Sequence, residues 1–240
     1  MELDKSNLMG SKVGLYASIS LSILTILAFG FAIIAVPPAG PFCPGDCMSY
    51  PFEDILDYYP RDYNWMYLVV FQLFAYVIFT ISIHYNAPSE NKIFSLIATA
   101  FALISSTVLL IDYFIQFAVV PISMMKGETE GIGLLSQYNG HGIFIVLEEL
   151  GYIMMSLAFL FKAFVFTQKN GLERSIRWIM VLPIAVAIVA FIYYSLKFGL
   201  DRSYRFEVVL ISVNWLVMIT VGVLLSIYFR RKILAVKSNS

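Results

Sequence analysis

Long apolar runs, separated by short polar segments and by segments containing proline or glycine, dominate the pattern of hydrophobic and polar positions along the chain. Each run has about 20 residues or more, enough for a helix rising about 1.5 Å per residue to cross a hydrocarbon core of about 30 Å. The pattern therefore predicts six transmembrane helices, at approximately Val13–Val36, Trp65–Tyr85, Ile93–Val120, Ile143–Phe166, Trp178–Leu196 and Val208–Phe229.

Composition supports a membrane protein and excludes one class of partner. The chain is 60% hydrophobic and 13% charged, whereas soluble domains carry about 25% charged residues. Its formal net charge is zero, so it has no basic surface with which to neutralise the phosphates of a nucleic acid. We therefore predict one all-α membrane domain over residues 1–240, embedded in the lipid bilayer of the cell membrane, with no nucleic-acid partner.

The distribution of basic residues predicts the orientation of the bundle. If the N-terminus is inside, ten of the 16 Lys and Arg residues fall on inner segments and five on outer segments. Because basic residues favour the cytoplasmic side, both termini are expected there, with the cluster Arg230-Arg231-Lys232 as an inner stop. Lys162, near the inner end of the fourth run, is expected to extend its amine to that interface.

The outer loop Pro37–Asn64 is rich in proline and contains both cysteines of the chain, Cys43 and Cys47. The intervening Pro-Gly turn brings the two thiols close, and an outer surface is oxidising, so a structural disulfide is predicted. A redox-active pair is the alternative, although its spacing differs from Cys-x-x-Cys. Two cysteines without a nearby histidine are too few for a zinc site, so we expect neither a metal nor a cofactor.

Polar residues inside the apolar runs mark a candidate site, because a charge in hydrocarbon is costly unless it is paired, protonated or hydrated. Asp112 lies about 13 Å below the outer end of its run, and Glu148 and Glu149 lie about 8 Å below theirs. Gln72 and Asn214 lie about 10 Å below theirs. Four helices thus contribute polar side chains to the outer third of the bundle.

Helical geometry separates these residues by face. Successive residues point about 100° apart, so Glu148 and Glu149 face different neighbours. Glu148 shares a face with His141 and Tyr152, and Asp112 shares one with Gln116. We predict Asp112 and Glu148 as the central pair, with His141 at the mouth. The full set of predicted ligand- or proton-binding residues is Asp112, Glu148, His141, Gln116, Gln72, Asn214, Tyr152 and Glu149.

Two nearby carboxyl groups that share a proton suit several functions. The favoured one is a small carrier or ligand-binding protein for a cation or a proton-coupled solute. The alternative is an intramembrane enzyme that acts on a lipid or isoprenoid with the same groups as general acid and base, although no catalytic residue is identified. A third interpretation is a non-catalytic component that assembles with partners or with copies of itself, in which neutral acids join the helices.

Overall fold

The protein is almost entirely helical in its computed structural model, which describes residues 2–35, 37–168 and 170–238. Short helices connect the long ones: 3-10 turns at Glu53–Tyr58, Arg61–Tyr63, Ser89–Asn91 and Gly199–Arg202, and single α-helical turns at Val120–Met125 and Ile132–Leu135. The long helices are α1 (Glu2–Ile34), α2 (Asn64–Tyr85), α3 (Lys92–Ala118), α4 (Ile143–Ala163), α5 (Gly171–Phe198) and α6 (Ser203–Ser238).

Five segments of the described chain are long and apolar enough to cross a membrane. The prediction of an all-helical chain built on such segments is confirmed. They are Leu8–Ile34, Arg61–Tyr85, Ser89–Met125, Ile143–Ala163 and Gly171–Val236.

The last of these segments contains two helices. The rings of Phe191 in α5 and Phe206 in α6 lie 5.6 Å apart, whereas a continuous helix would separate them by about 22 Å. The chain reverses between them at Gly199, whose φ of 57° belongs to the left-handed region that glycine adopts easily. Helices α5 and α6 therefore form a hairpin.

The helices extend beyond several of the predicted apolar runs. Helix α5 begins at Gly171, before the predicted start at Trp178, because the Asn170 side chain accepts a hydrogen bond from the Glu173 backbone N–H (3.0 Å) and caps it. Helix α6 begins at Ser203 instead of Val208. The predicted end of the first run, Val36, lies outside the described residues, as does Lys169 in the connection before α5.

The bundle closes on itself. Each long helix packs against the next along the chain, and α6 also packs against α1 and α4. Glycines allow two close approaches: a β-carbon on Gly151 would collide with Leu109 of α3, and one on Gly222 would collide with Ser22 of α1. Small residues at such crossings let the helix backbones approach closely in a membrane.

The connections 37–63 and 119–142 and the α5–α6 turn lie at one end of the bundle, here called the loop end. Cys43 and Cys47 form a disulfide in the first of these connections. The Tyr58 and Tyr138 rings join the two connections at 6.0 Å, and Phe42 packs on Tyr204 of α6 at 5.7 Å. The loops therefore form a packed cap on this end.

Candidate functional site

A cavity of about 360 Å³ lies beneath the cap at the loop end. Its walls come from the last turns of α1, the first turns of α2, α4 and α6, and the connection before α4. Its volume falls at the lower end of the range of about 300–1,000 Å³ that is typical of small-molecule sites. Aromatic side chains form much of the lining: Phe29, Phe42, Trp65, Tyr138, Phe144, Tyr204 and Trp215.

Two glutamates from different helices stand on the cavity wall. Glu148 of α4 is 1% exposed and Glu207 of α6 is 4% exposed, and both line the cavity. Their carboxyl groups lie close enough for their charges to interact. Because two ionised carboxylates at short range repel each other, the pair is favoured when it holds one proton.

A chain of hydrogen bonds holds Glu148 in place. Tyr113 of α3 donates to Glu148 Oε1 at 2.7 Å, and the Tyr113 and Tyr152 hydroxyls lie 3.0 Å apart. Trp215 Nε1 of α6 donates to the Tyr152 hydroxyl at 2.9 Å. All four side chains are buried, so this chain fixes the glutamate and ties α3, α4 and α6 together.

A third acid, Asp62, lines the cavity and already has partners. It accepts hydrogen bonds from Arg61 Nε at 2.6 Å and from the Tyr138 hydroxyl at 3.1 Å. Burial raises the pKa of Tyr138, so this hydroxyl remains a donor at neutral pH. Asp62 therefore serves to join the start of α2 to the cap.

Asp112, Gln116 and His141 lie around the cavity but not on its wall. Asp112 is buried on α3 close enough to Glu148 for their charges to interact, and its Oδ2 has no hydrogen-bond partner in the described structure. Gln116 donates to the Leu135 carbonyl and accepts from the Gln137 backbone N–H (3.0 Å), which holds the cap. His141 is exposed, and its backbone N–H donates to Asn139 Oδ1 at 3.2 Å.

The remaining predicted residues connect helices. Gln72 Nε2 lies 3.4 Å from the Met218 sulfur, and Asn214 Nδ2 donates to Ser156 Oγ at 3.0 Å. Glu149 points away from the cavity and pairs with Arg202 at 3.5 Å. Of the predicted set, Glu148 alone lies on the cavity wall described here, and Tyr152 supports it by hydrogen bonding.

Glu207 and the two tryptophans Trp65 and Trp215 were not among the predicted site residues. Glu207 directly precedes the sixth apolar run, so hydropathy assigns it to a connection. Helix α6 begins at Ser203 and so contains both Glu207 and Trp215. Their spacing of eight residues places them on one face of this helix. That spacing is the signal in the sequence that points to the missing acid.

The expectation that Lys162 reaches the membrane interface is wrong. Its side chain is fully buried, and its Nζ lies over the rings of Tyr76 (4.0 Å), Phe159 (4.5 Å) and Phe79 (5.3 Å). Lys162 points into the bundle between α2 and α4, where aromatic faces attract its amine. Its Nζ has no hydrogen-bond partner in the described structure.

The helical fold and its long apolar helices are compatible with a multi-pass membrane protein. Comparison with known protein families, curated proteins and solved structures gives no match. Within residues 2–35, 37–168 and 170–238, no group of three or more His, Cys, Asp or Glu side chains is arranged to hold a metal ion.

Proposed function

We propose that the chain is a protein of the cell membrane that binds a small cation or cationic solute in the cavity at its loop end. The observation that carries the proposal is the pair Glu148 and Glu207, contributed by two helices to one aromatic-lined cavity. Buried acids in a membrane protein mark sites for ions or protons by default. A cation bound there would restore the charge balance of the pair.

The chemistry of the lining favours a cation over an anion or a neutral solute. Neither Glu148 nor Glu207 forms an ion pair with Lys, Arg or His within the described part of the chain. The Trp65 and Trp215 rings meet at 5.9 Å beside them. Aromatic faces attract ammonium groups by about 0.5–2 kcal/mol each. Carboxyl groups and rings together therefore suit a protonated amine better than a bare metal ion.

The same pair supports proton-coupled carriage. A proton held between Glu148 and Glu207 must leave when a cation takes its place, so cation binding and proton release are linked. Asp112 of α3 lies close enough to Glu148 for their charges to interact, so it is a third acid that can exchange protons with the pair. As a carrier, the protein would exchange a cation for protons.

The orientation that we propose has six crossings, both termini in the cytoplasm and the cavity facing outward. The α5–α6 hairpin supports the even number of crossings. To test it, single cysteines replace the exposed Glu130 and Glu90 at opposite ends of the bundle. A membrane-impermeant thiol reagent added to intact cells should label Glu130→Cys only. Labelling of Glu90→Cys in its place would reverse the orientation.

Binding is tested by titrating methylammonium into protein in lipid nanodiscs and following tryptophan fluorescence, since two of the three tryptophans line the cavity. A hydrogen bond to a charged group contributes about 1.5–3 kcal/mol, so Glu148→Gln and Glu207→Gln should each weaken binding about 10- to 150-fold. Glu128→Gln, in the exposed part of the cap, is the matched control. No response in the wild type, or an equal affinity in all three variants, would exclude a cation site at this pair.

Carriage is tested separately in proteoliposomes with a pH gradient. Uptake of labelled methylammonium should follow the gradient in the wild type and be abolished in Glu148→Gln. Asp112→Asn should reduce uptake as well, because it removes the acid that interacts with Glu148. Binding without gradient-driven uptake would leave a ligand-binding protein and exclude the carrier.

A further inference from the structure

The cap packs over the loop end of the cavity. Tyr204 of α6 lies between the two large connections, where β-carbons built on Gly40 and Gly140 would come within 3.6 Å and 3.3 Å of it. Phe42 covers the same ring, and Pro38 and Ala39 beneath it are buried. These contacts join both connections to the start of α6 above the cavity.

The cavity is open at its side, between α1 and α6. Ala32 and Ile33 of α1 and Val208, Ile211 and Ser212 of α6 all line the cavity. The same residues are also partly or largely exposed, Ile33 by 69%. Because the outer surface of a membrane-spanning helix meets lipid, a gap between these helices leads from the cavity to the hydrocarbon.

This side opening, here called the portal, has defined edges. Toward the loop end it is bounded by the cap at Tyr204. Toward the middle of the bundle, Phe29 of α1 packs edge-on against Trp215 of α6 at 5.6 Å and closes the gap. Glu207 precedes Ile211 by one helical turn, so its carboxyl group lies next to the portal.

We infer that the ligand of this site is an amphipathic amine, a single alkyl chain with a protonated amino group, that enters from the bilayer through the portal. The inference rests on the proposed cation site. The ammonium group would lie between Glu148 and Glu207, and the alkyl chain would leave the cavity between Ala32 and Ser212 into lipid. The cavity accepts the head and first methylenes, so chain length is not limited by its volume of about 360 Å³.

Charge and polarity favour this occupant over a small hydrophilic ammonium ion. Glu148 and Glu207 give the cavity wall an acidic patch without a cationic partner, whereas the portal residues of α1 are apolar. A ligand with a charged head and an apolar tail matches both surfaces at once. A hydrophilic cation would match the acids and leave the portal facing lipid without a partner.

The test compares methylammonium with dodecylammonium in nanodiscs of neutral phospholipid, in a Trp178→Phe background. Trp178 is exposed at the opposite end of the bundle, so this change leaves Trp65 and Trp215 as the reporters in the cavity. Each buried methylene contributes about 0.8 kcal/mol, or about fourfold in affinity. Dodecylammonium should therefore bind at least tenfold more tightly than methylammonium.

Blocking the portal separates protein binding from simple partitioning into lipid. Ala32→Phe fills the gap from α1, and Ser212→Phe fills it from α6 if the first variant does not fold. Ile26→Phe, at an exposed position of α1 that does not line the cavity, is the control. Partitioning into the bilayer is the same for all variants. The portal variants should lose dodecylammonium affinity at least tenfold more than they lose methylammonium affinity.

Other results would contradict either the portal or the cation site, and the two failures can be told apart. If dodecylammonium binds no more tightly than methylammonium, or if the portal variants affect both probes equally or neither, the amphiphile and its entry route are wrong while the cation site stands. If neither probe changes the fluorescence of the wild type, and neither competes with the other in equilibrium dialysis, the cation site itself is wrong.

Discussion

Tyr152 lies at the centre of the hydrogen-bond chain that supports Glu148. Its hydroxyl accepts from Trp215 Nε1 at 2.9 Å and lies 3.0 Å from the Tyr113 hydroxyl. The Tyr152→Phe variant removes one oxygen atom and keeps the ring, so it isolates these two contacts. We expect it to destabilise the protein without changing its helical content.

The size of the destabilisation depends on which hydrogen bonds Trp215 and Tyr113 keep in the Tyr152→Phe variant. The Trp215 N–H, in a side chain that is 1% exposed, would be left without a partner, which costs about 1–3 kcal/mol. Tyr113 keeps its bond to Glu148, so its loss should be near the average of about 0.6 kcal/mol for hydrogen bonds between membrane helices. The expected decrease in the free energy of unfolding is about 2 kcal/mol.

The assay is reversible unfolding by SDS in mixed micelles, followed by far-UV circular dichroism. Trp215→Phe and the double variant with Tyr152→Phe complete a double-mutant cycle. Because the two side chains share one bond, the combined effect should fall short of the sum by about 1 kcal/mol. Tyr16→Phe, 68% exposed on α1, is the matched control and should leave stability unchanged. Additive effects, or a Tyr152→Phe protein as stable as the wild type, would refute the supporting role of the chain.

Three further perturbations test the packing, the buried amine and the cap. Gly151→Ala should lower the unfolding free energy by about 1–3 kcal/mol, since its β-carbon would lie 2.5 Å from a side-chain atom of α3; Gly30→Ala, with nothing within 4 Å, should not destabilise. Lys162→Met should raise the thermal midpoint, because a buried amine without an acceptor costs more than ring attraction returns; a lower midpoint would contradict this. Reducing the Cys43–Cys47 disulfide should destabilise the cap by at most about 2 kcal/mol, seen as faster proteolysis of the first connection while the bundle stays intact.

The helical architecture was predictable because lipid imposes one dominant constraint. A span must satisfy its backbone hydrogen bonds internally and cover itself with apolar side chains, so hydropathy alone locates it. Helix ends follow a different rule. Asn170 extends α5 upstream of its apolar run through a side-chain cap, and hydropathy does not register that polar contact.

The candidate site was only partly predictable, because depth along a helix does not specify direction. Depth singled out Glu148, which lines the cavity, but it also selected Gln116 and Gln72, which bond to the cap and to Met218. Each of these polar side chains has a neighbour that one sequence does not reveal. Glu207 was not predicted, because it lies among charged residues outside the apolar run. The packing of α6 against α4 buries it, and hydropathy does not show that packing.

The three acids on the cavity wall differ in how their charge is balanced, and this difference determines where a cationic ligand binds. Asp62 has Arg61 and the Tyr138 hydroxyl, so an added cation would gain little by approaching it. Glu148 and Glu207 face only each other's like charge. Two such carboxyl groups do not both ionise readily unless a proton or another cation lies between them. Because the hydrogen-bond chain through Tyr113 immobilises Glu148, the exchange of proton for cation should proceed on the Glu207 side, next to the portal. Glu207→Gln should therefore slow ligand entry as well as weaken binding, whereas Glu148→Gln should act mainly on the dissociation rate, and stopped-flow fluorescence distinguishes the two.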